Sequence, residues 1–407
     1  MVRMPKRLLY PLLGAALLMP VSTSWALELH GRSSTQYLWF NNIFNDKKQA
    51  EFAQYLQFSL SDIDPDKKLT LHGYGRISQD VMNGEGFGER LFYLYADYRD
   101  LFNKVDIRAG RQFVNYAAGS ALIDGGMVDL KNVGPVAFSV MGGRNVYYGI
   151  DGELTHAGDT VFGAAAYLTG YPATDAEISY FVKRDNDGIA REQIGAMFRQ
   201  YLFGGLKLYG NTRFDMASEN FDEILAGAKY FVNENLVLTG EWFQSYPTFD
   251  YTSIYSVFAV DRYQEGSFRA DYTINHMFAV RGAYKYQDFG ENTEGHVFEA
   301  GLKVRPIETL MLDFGYDRRH GYAGDLDGFT VDAQYDVTPN LQLAGGMAYD
   351  VYKKDSMTGD TNAQSYWLGT RYRLNKTMSV DARVQDNINV GHFRHDWSGR
   401  VAFNYDF

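Results

Sequence analysis

This sequence predicts an all-β chain, closed as a transmembrane antiparallel up-and-down β-barrel of about 18–22 strands with no plug domain. Three observations predict it: an export leader at the amino terminus, period-two hydrophobicity in segments of about ten residues, and connections alternating between tight turns and longer polar loops.

The leader comes first. Arg3, Lys6 and Arg7 give a basic start, Leu8 to Val21 form a short apolar stretch, and Ser24-Trp25-Ala26 puts small residues where a signal peptidase reads. The apolar stretch is too short to span a bilayer as a helix. Residues 1–26 are therefore expected to be a cleaved signal peptide, and 27–407 the barrel. Export of such a chain points to the outer membrane, with lipid, lipopolysaccharide and the barrel assembly machinery as its expected partners.

Composition agrees. Hydrophobic residues make up 45% of the 407 and aromatics 16%, yet mean hydropathy is only −0.32. Apolar residues at every second position escape a window average, and aromatics collect at both rims of a barrel. There is no cysteine, which suits passage through an oxidising periplasm. It also excludes thiolate metal sites and a C-x-x-C-H haem attachment in this chain. A net charge of −11 argues against nucleic acid as a partner.

The first strand candidate is Leu29 to Phe40, directly after the leader, where an amino-terminal plug would otherwise stand. Alternation is blurred around Leu122 to Leu130 and Ala164 to Val182. It is clear later: Leu310, Leu312, Phe314 and Tyr316 alternate with Met311, Asp313, Gly315 and Asp317, and Met378, Val380, Ala382 and Val384 with Ser379, Asp381, Arg383 and Gln385. The second face is too charged for a packed core, whereas a water-filled lumen tolerates it. A long water-soluble periplasmic β protein is the alternative.

Tight turns fall at Asp62 to Lys67, Asp100 to Lys104, Asn132 to Pro135, Val232 to Asn235, Ile274 to His276, Arg305 to Glu308, Asp336 to Asn340 and Arg373 to Lys376. Tyr230, Tyr272, Tyr335 and Tyr372 precede four of them, as rim tyrosines above short periplasmic turns would. Longer polar stretches lie between, at Asn41 to Ala50, Ser78 to Glu89, Arg144 to Asp159, Ser245 to Arg262, His320 to Asp325 and Lys353 to Ala363, and read as extracellular loops. Walking this pattern gives about 22 strands.

Three resemblances add to this. The terminal Val401-Ala402-Phe403-Asn404-Tyr405-Asp406-Phe407 is similar to the carboxy-terminal signature by which outer-membrane barrels are recognised for insertion; Phe403, Tyr405 and Phe407 are its apolar positions. Arg108-Ala109-Gly110-Arg111-Gln112, with Asp124-Gly125 following, resembles a G-R-Q and D-G pattern of several porin families, phosphate-type porins included. On its own terms, the same patch reads as solvated lumen residues with Gly110 easing strand packing. Finally, the layout resembles the barrel component of porin–cytochrome complexes, in which the barrel sheathes a multihaem cytochrome and the haems belong to that partner.

The sequence shows no catalytic constellation: no G-x-S-x-G elbow and no phosphate-binding glycine loop. His392-Phe393-Arg394-His395-Asp396 is the one histidine cluster and lacks further ligands. Asp62, Asp64 and Asp66 offer oxygen ligands at a spacing that suits Ca²⁺, but without the rest of a calcium loop; Asp and Pro65 also suit a turn for backbone reasons. No cofactor is expected.

The charged positions of the strands are expected to line the lumen. Cationic candidates are Arg108, Arg111, Lys207, Arg213, Lys229, Arg269, Arg281, Lys285, Arg371, Arg373 and Arg383. Acidic candidates are Glu241, Asp271, Glu299, Asp313, Asp317, Asp332 and Asp381. Their signs are interspersed, which fits bracing cross-strand pairs better than a single-sign filter. A passive porin for small polar solutes is the leading expectation. A sheath holding a multihaem cytochrome is the alternative, because about 22 strands would leave a bore of roughly 25 Å that something should fill.

Overall fold

The computed structural model describes residues 27–42, 47–84, 87–148, 154–155, 158–247, 250, 262–322, 324–353, 361–390 and 393–407. The expected leader, His392 and most of the 245–262 connection lie outside them.

Strands follow one another along the chain: β1 Glu28–Asn42, β2 Lys47–Ser61, β3 Leu69–Asp80, β4 Phe87–Leu101, β5 Val105–Tyr116, β6 Gly119–Val133, β7 Val136–Asn145, and the two-residue pair β8 Tyr147–Tyr148 and β9 Leu154–Thr155. Next come β10 Thr160–Leu168, β11 Thr174–Asp185, β12 Gly188–Tyr201, β13 Leu206–Asp215, β14 Asn220–Phe231, β15 Leu236–Ser245, β16 Tyr263–Thr273 and β17 Phe278–Asp288. The last are β18 Glu294–Ile307, β19 Leu310–Gly321, β20 Asp325–Thr338, β21 Leu341–Lys353, β22 Thr361–Arg373, β23 Met378–Val390 and β24 Phe393–Asp406.

Among the described residues, 22 of these strands form one sheet. Each pairs antiparallel with its sequence neighbour, β7 joins β10 directly, and β24 returns to β1. The wall is therefore closed and has no edge, as a sheet in lipid requires. No separate plug domain is evident among the described residues. The two regions of blurred alternation resolve into β6 and into β10 and β11, split by a short turn.

Register assigns the faces. The outer one carries Phe52, Phe268, Phe298, Phe329 and Leu368, all half exposed or more. An apolar surface of this kind all round a barrel belongs in hydrocarbon rather than water. Tyr230, Tyr272, Tyr335 and Tyr372 share that face, on alternate strands just before the turns at the end that carries both chain ends. They form an interfacial belt there.

The seam is sealed at the last residue. Gly31 N donates to Phe407 O at 2.8 Å and Phe407 N to Gly31 O at 3.0 Å. The Phe407 ring lies over Gly31, where an added Cβ would come within 2.6 Å of it. Phe403, Tyr405 and Phe407 thus stand on the lipid-facing side of the closing strand, next to β1.

One element leaves the wall. The β4–β5 ladder ends at Leu94 opposite Arg111, and the β6–β7 ladder begins at Ile123 opposite Asn145. Residues 112–121 therefore pair only within the β5–β6 hairpin, from Gln112 opposite Ile123 to Tyr116 opposite Gly119, while Leu122 O still accepts from Val146 N at 2.8 Å. This hairpin tip folds over into the lumen.

Glycines make the fold-back possible. Gly110 has φ +126°, and a Cβ there would lie 2.3 Å from Leu94 O. Gly125, opposite it, would meet Gly142 O at 2.1 Å. Side chains at this row would hold the three strands apart.

Candidate functional site

The lumen is the candidate site, and the inward hairpin is its main feature. On the hairpin, Val114, Tyr116, Ala118, Ala121 and Ile123 sit at positions that would face the lumen in a straight strand. They pack instead onto the inner faces of β7, β10 and β11, at Met141, Val161, Ala165 and Phe181. Ile123 and Val161 are fully buried. Polar contacts pin the tip: Ala117 N donates to Glu177 Oε1 at 2.7 Å, Ala118 N donates to Ser179 Oγ at 2.9 Å, and the Tyr116 and Ser139 hydroxyls lie 2.6 Å apart. The seat on β12 is Gly195, where a Cβ would meet Ala118 N at 2.1 Å.

Folding over turns the hairpin's other face toward the open bore. Phe113 is 60% exposed there. At the root, Arg111 forms a bidentate pair with Asp124, both contacts 2.7 Å, and donates to the Tyr148 hydroxyl at 3.1 Å. Tyr148 belongs to the 144–159 connection. Asp250, the described residue in the middle of the 245–262 connection, accepts from Lys183 Nζ at 2.5 Å and from Arg191 Nε at 2.9 Å. Sequence reasoning read both connections as extracellular loops and gave residues 113–121 no separate reading. The available signal was the cluster of Gly110, Gly125-Gly126 and Gly142-Gly143, together with the small Ala117-Ala118-Gly119 tip.

Arg108 and Arg111 lie three residues apart and cannot share a face of a regular strand. Arg108 is on the inner wall, with its guanidinium 5.0 Å from the Tyr95 ring centroid. Arg111 reaches the lumen side only because the strand folds back after Gly110.

The remaining expected lumen residues share the inner face by register, and about half of them meet opposite charge on the same or a neighbouring strand. Lys285 Nζ lies 2.5 Å from Glu299, Arg269 Nε 3.0 Å from Asp271, and Arg371 Nε 2.6 Å from Asp381. Lys303 Nζ is 3.8 Å from Asp313, and Arg213 lies 3.5 Å from Asp222. Arg281 stands opposite Asp271, and Asp317 opposite Glu299.

Others use rings and hydroxyls. Tyr209 donates its hydroxyl to Glu241. Trp367 Nε1 donates to Asp332 at 3.2 Å, and Arg383 lies 4.3 Å from the same indole. Lys207 and Lys229 are register partners; Lys207 sits 5.4 Å from the Tyr201 and Tyr209 rings, and Lys229 is 5.3 Å from Phe231. Arg373 stands beside Arg371 at the terminal end, opposite Ser379.

The weak calcium candidate, Asp62, Asp64 and Asp66, lies at the β2–β3 turn, where two of its carboxylates have other partners. Asp62 Oδ2 is taken by Lys67 Nζ at 2.5 Å, while Asp64 Oδ1 accepts from Lys68 N at 2.8 Å and Leu69 N at 2.7 Å. No group of three metal-type ligands converges among the described residues. The run is a turn: backbone donors hold the Asp64 carboxyl below its ordinary range, and Asp62 raises the Lys67 ammonium above its own. His395 likewise pairs with Asp386 at 3.0 Å.

A closed antiparallel wall with a lipid-facing apolar exterior and a charged interior defines the class: this is an outer-membrane β-barrel. No protein-family model and no curated protein matches the chain. Among solved structures it is similar to the ferric enterobactin receptor PfeA of Pseudomonas aeruginosa, with a TM-score of 0.60 and 10% identity over 93% of this chain and 80% of the receptor. It is also similar to the translocation pore of the P pilus usher PapC, with a TM-score of 0.51 and 10% identity over 93% of this chain and 99% of that pore chain. A BenF-like porin from Pseudomonas fluorescens gives a TM-score of 0.49 at 9% identity, over 94% and 98%. At such identities the first two establish the fold alone, and the third adds nothing to that. These neighbours are transport proteins rather than enzymes.

Proposed function

We propose that this chain is a wide porin-type channel for passive diffusion of small polar solutes and ions, narrowed by its own β5–β6 hairpin. The observation that carries the reading is the inner face of the closed wall. Outside the sector that the hairpin covers it is largely charged and hydrogen-bonded, and, apart from the contacts of Asp250, its ion pairs run along a strand or between neighbouring strands, so they brace the wall and leave the passage aqueous. Twenty-two strands about 4.8 Å apart and tilted by about 40° give a backbone diameter of roughly 43 Å and an open width of about 25 Å. A stacked layer about 10 Å thick on one side reduces this to about 15 Å in that direction. The chain thus supplies part of the filling that so wide a bore calls for.

Because paired charges of both signs line the wall, ion preference should be weak. The test is reconstitution in planar bilayers: a steady conductance with a reversal potential near zero under a salt gradient supports the reading. Strong anion selectivity that disappears in Arg108→Ala would overturn the mixed-lumen argument. The hairpin leaves less room for the sheath alternative than an open 22-strand bore would. Stoichiometric haem absorbance in barrel purified from its host in mild detergent would favour that reading over the porin.

A further inference from the structure

We propose that the lumen wall at β1–β4 and β22–β24 is a binding site for acidic saccharides, that is, pyranose units bearing a carboxylate. This rests on the channel reading and names a solute class for it.

The first observation is a run of rings on the inner wall. Tyr55 and Tyr74 stack with centroids 6.4 Å apart, Tyr74 and Tyr93 are 5.7 Å apart, Tyr93 and Tyr95 5.7 Å, and Tyr95 and His72 5.0 Å. Register puts all of them on the lumen face: Tyr74 stands opposite both Gln57 and Tyr93, and Tyr95 opposite His72. The other inner-wall rings described above, such as Tyr209 and Trp367, stand beside charged side chains rather than in a run of this kind. The rings of the run are only partly covered, and the hydroxyls of Tyr55, Tyr74 and Tyr95 have no hydrogen-bond partner among the described residues. Although Phe92 stacks on one face of Tyr74 at 4.6 Å, the partly exposed rings and the hydroxyls free of protein partners offer both an apolar surface and polar edges.

The second observation is the hollow beside them. It measures about 420 Å³, with Tyr55 and Tyr74 on one side and Arg32, Arg371 and Arg400 on the other. Arg32 is held by Asp406 at 2.5 Å and Arg371 by Asp381 at 2.6 Å, so both guanidiniums are fixed in place. Arg400 has no carboxylate partner among the described residues and stands opposite Arg383, another cation. Three arginines and one carboxylate, Asp381, line this hollow, with Asp406 paired to Arg32 beside it, so cations outnumber acids here. A second hollow of about 220 Å³ shares Arg32 and Arg371 and adds Arg373 and Lys376 toward the terminal end. The amides of Gln36, Gln57 and Asn404 complete the larger one.

The chemistry follows from these groups. The C–H face of a pyranose is electropositive and suits the negative face of a tyrosine ring. A guanidinium fork suits a carboxylate. Amides that both donate and accept suit a ring of hydroxyls. An aromatic carboxylate would use the rings and the arginines but not the amides.

The test is current blockade in reconstituted full-length channel, with trigalacturonate as the probe and maltotriose and benzoate as controls. The expected result is half-blocking by trigalacturonate at a concentration at least about tenfold below either control. Tyr74→Ala and Arg400→Gln should each raise that concentration about tenfold, whereas Tyr74→Phe, which keeps the ring, should not. Heat-modifiable mobility checks that each variant folds. Equal blockade by maltotriose, stronger blockade by benzoate, or insensitivity to both variants would overturn the proposal. If the protein conducts no ions, the channel reading fails by itself; calorimetric titration of the same sugars into the detergent-solubilised barrel then decides the site, with the same ranking expected.

Discussion

Replacing residues 113–122 by Asn-Gly should widen the channel without dismantling the barrel. Gln112 and Ile123 are register partners, so a two-residue turn closes the shortened hairpin. No wall ladder is cut, because β5 leaves β4 after Arg111 and β6 rejoins β7 at Ile123. In the intact protein the tip buries Val114, Tyr116 and Ile123, worth about 5–9 kcal/mol. Its three pinning hydrogen bonds add about 1.5–4.5 kcal/mol. Docking of that strength leaves fewer than about one molecule in ten thousand undocked, so the hairpin is a fixed constriction, not a thermally opening gate. It is about two strands wide and one layer thick, or roughly 100 Å² out of an open section near 490 Å². It spans part of the channel length, so its removal should raise single-channel conductance by about a tenth to a quarter and admit larger polymers. The assay is single-channel recording at high salt, with graded polyethylene glycols as size probes. A barrel that still shows heat-modifiable mobility, but with unchanged conductance and an unchanged exclusion limit, would refute the constriction.

Gly195→Leu should loosen the same tip, because its Cβ would collide with Ala118 N. Loss of the two N–H contacts costs about 1–3 kcal/mol, read as roughly five- to hundredfold faster amide exchange over residues 114–121; unchanged exchange would contradict this seat. Phe407→Ser should lower the amount of folded barrel in the outer membrane, because Phe407 closes the seam at Gly31 and ends the expected insertion signal; equal amounts of heat-modifiable barrel would remove the claim. Asp64→Ala should remove one acid-sensitive contribution at the β2–β3 turn. The folded carboxyl titrates below its unfolded value, so its contribution is complete above about pH 4 and is lost as pH falls through the lower, folded value. Stability curves of wild type and variant should converge in acid and separate toward neutral pH; a constant gap down to pH 2 would count against the turn assignment.

Much of the barrel was legible because lipid imposes a local rule. A strand between hydrocarbon and water must alternate, and must do so over about ten residues, whatever its distant neighbours are. Hence Leu310 to Tyr316 or Met378 to Val384 could be read in isolation, the tyrosines at 230, 272, 335 and 372 marked one rim, and counting gave about 22 strands. The charged inner positions followed from the same parity.

What parity could not reveal is where a strand stops serving the wall. Over residues 112–123 the apolar Val114, Tyr116, Ala121 and Ile123 take the lumen parity while Phe113 and Leu122 leave the other face apolar as well, so parity there assigns neither face. Only the ladders, ending at Arg111 and resuming at Ile123, show that the Val114 face meets Phe181 and Val161 rather than water. The chain of tyrosines at 55, 74, 93 and 95 escaped for a related reason. Each is an ordinary inner position of its own strand, and only the inter-strand register stacks them beside Arg400, because sequence fixes which way a side chain points but contact across strands depends on closure of the whole sheet.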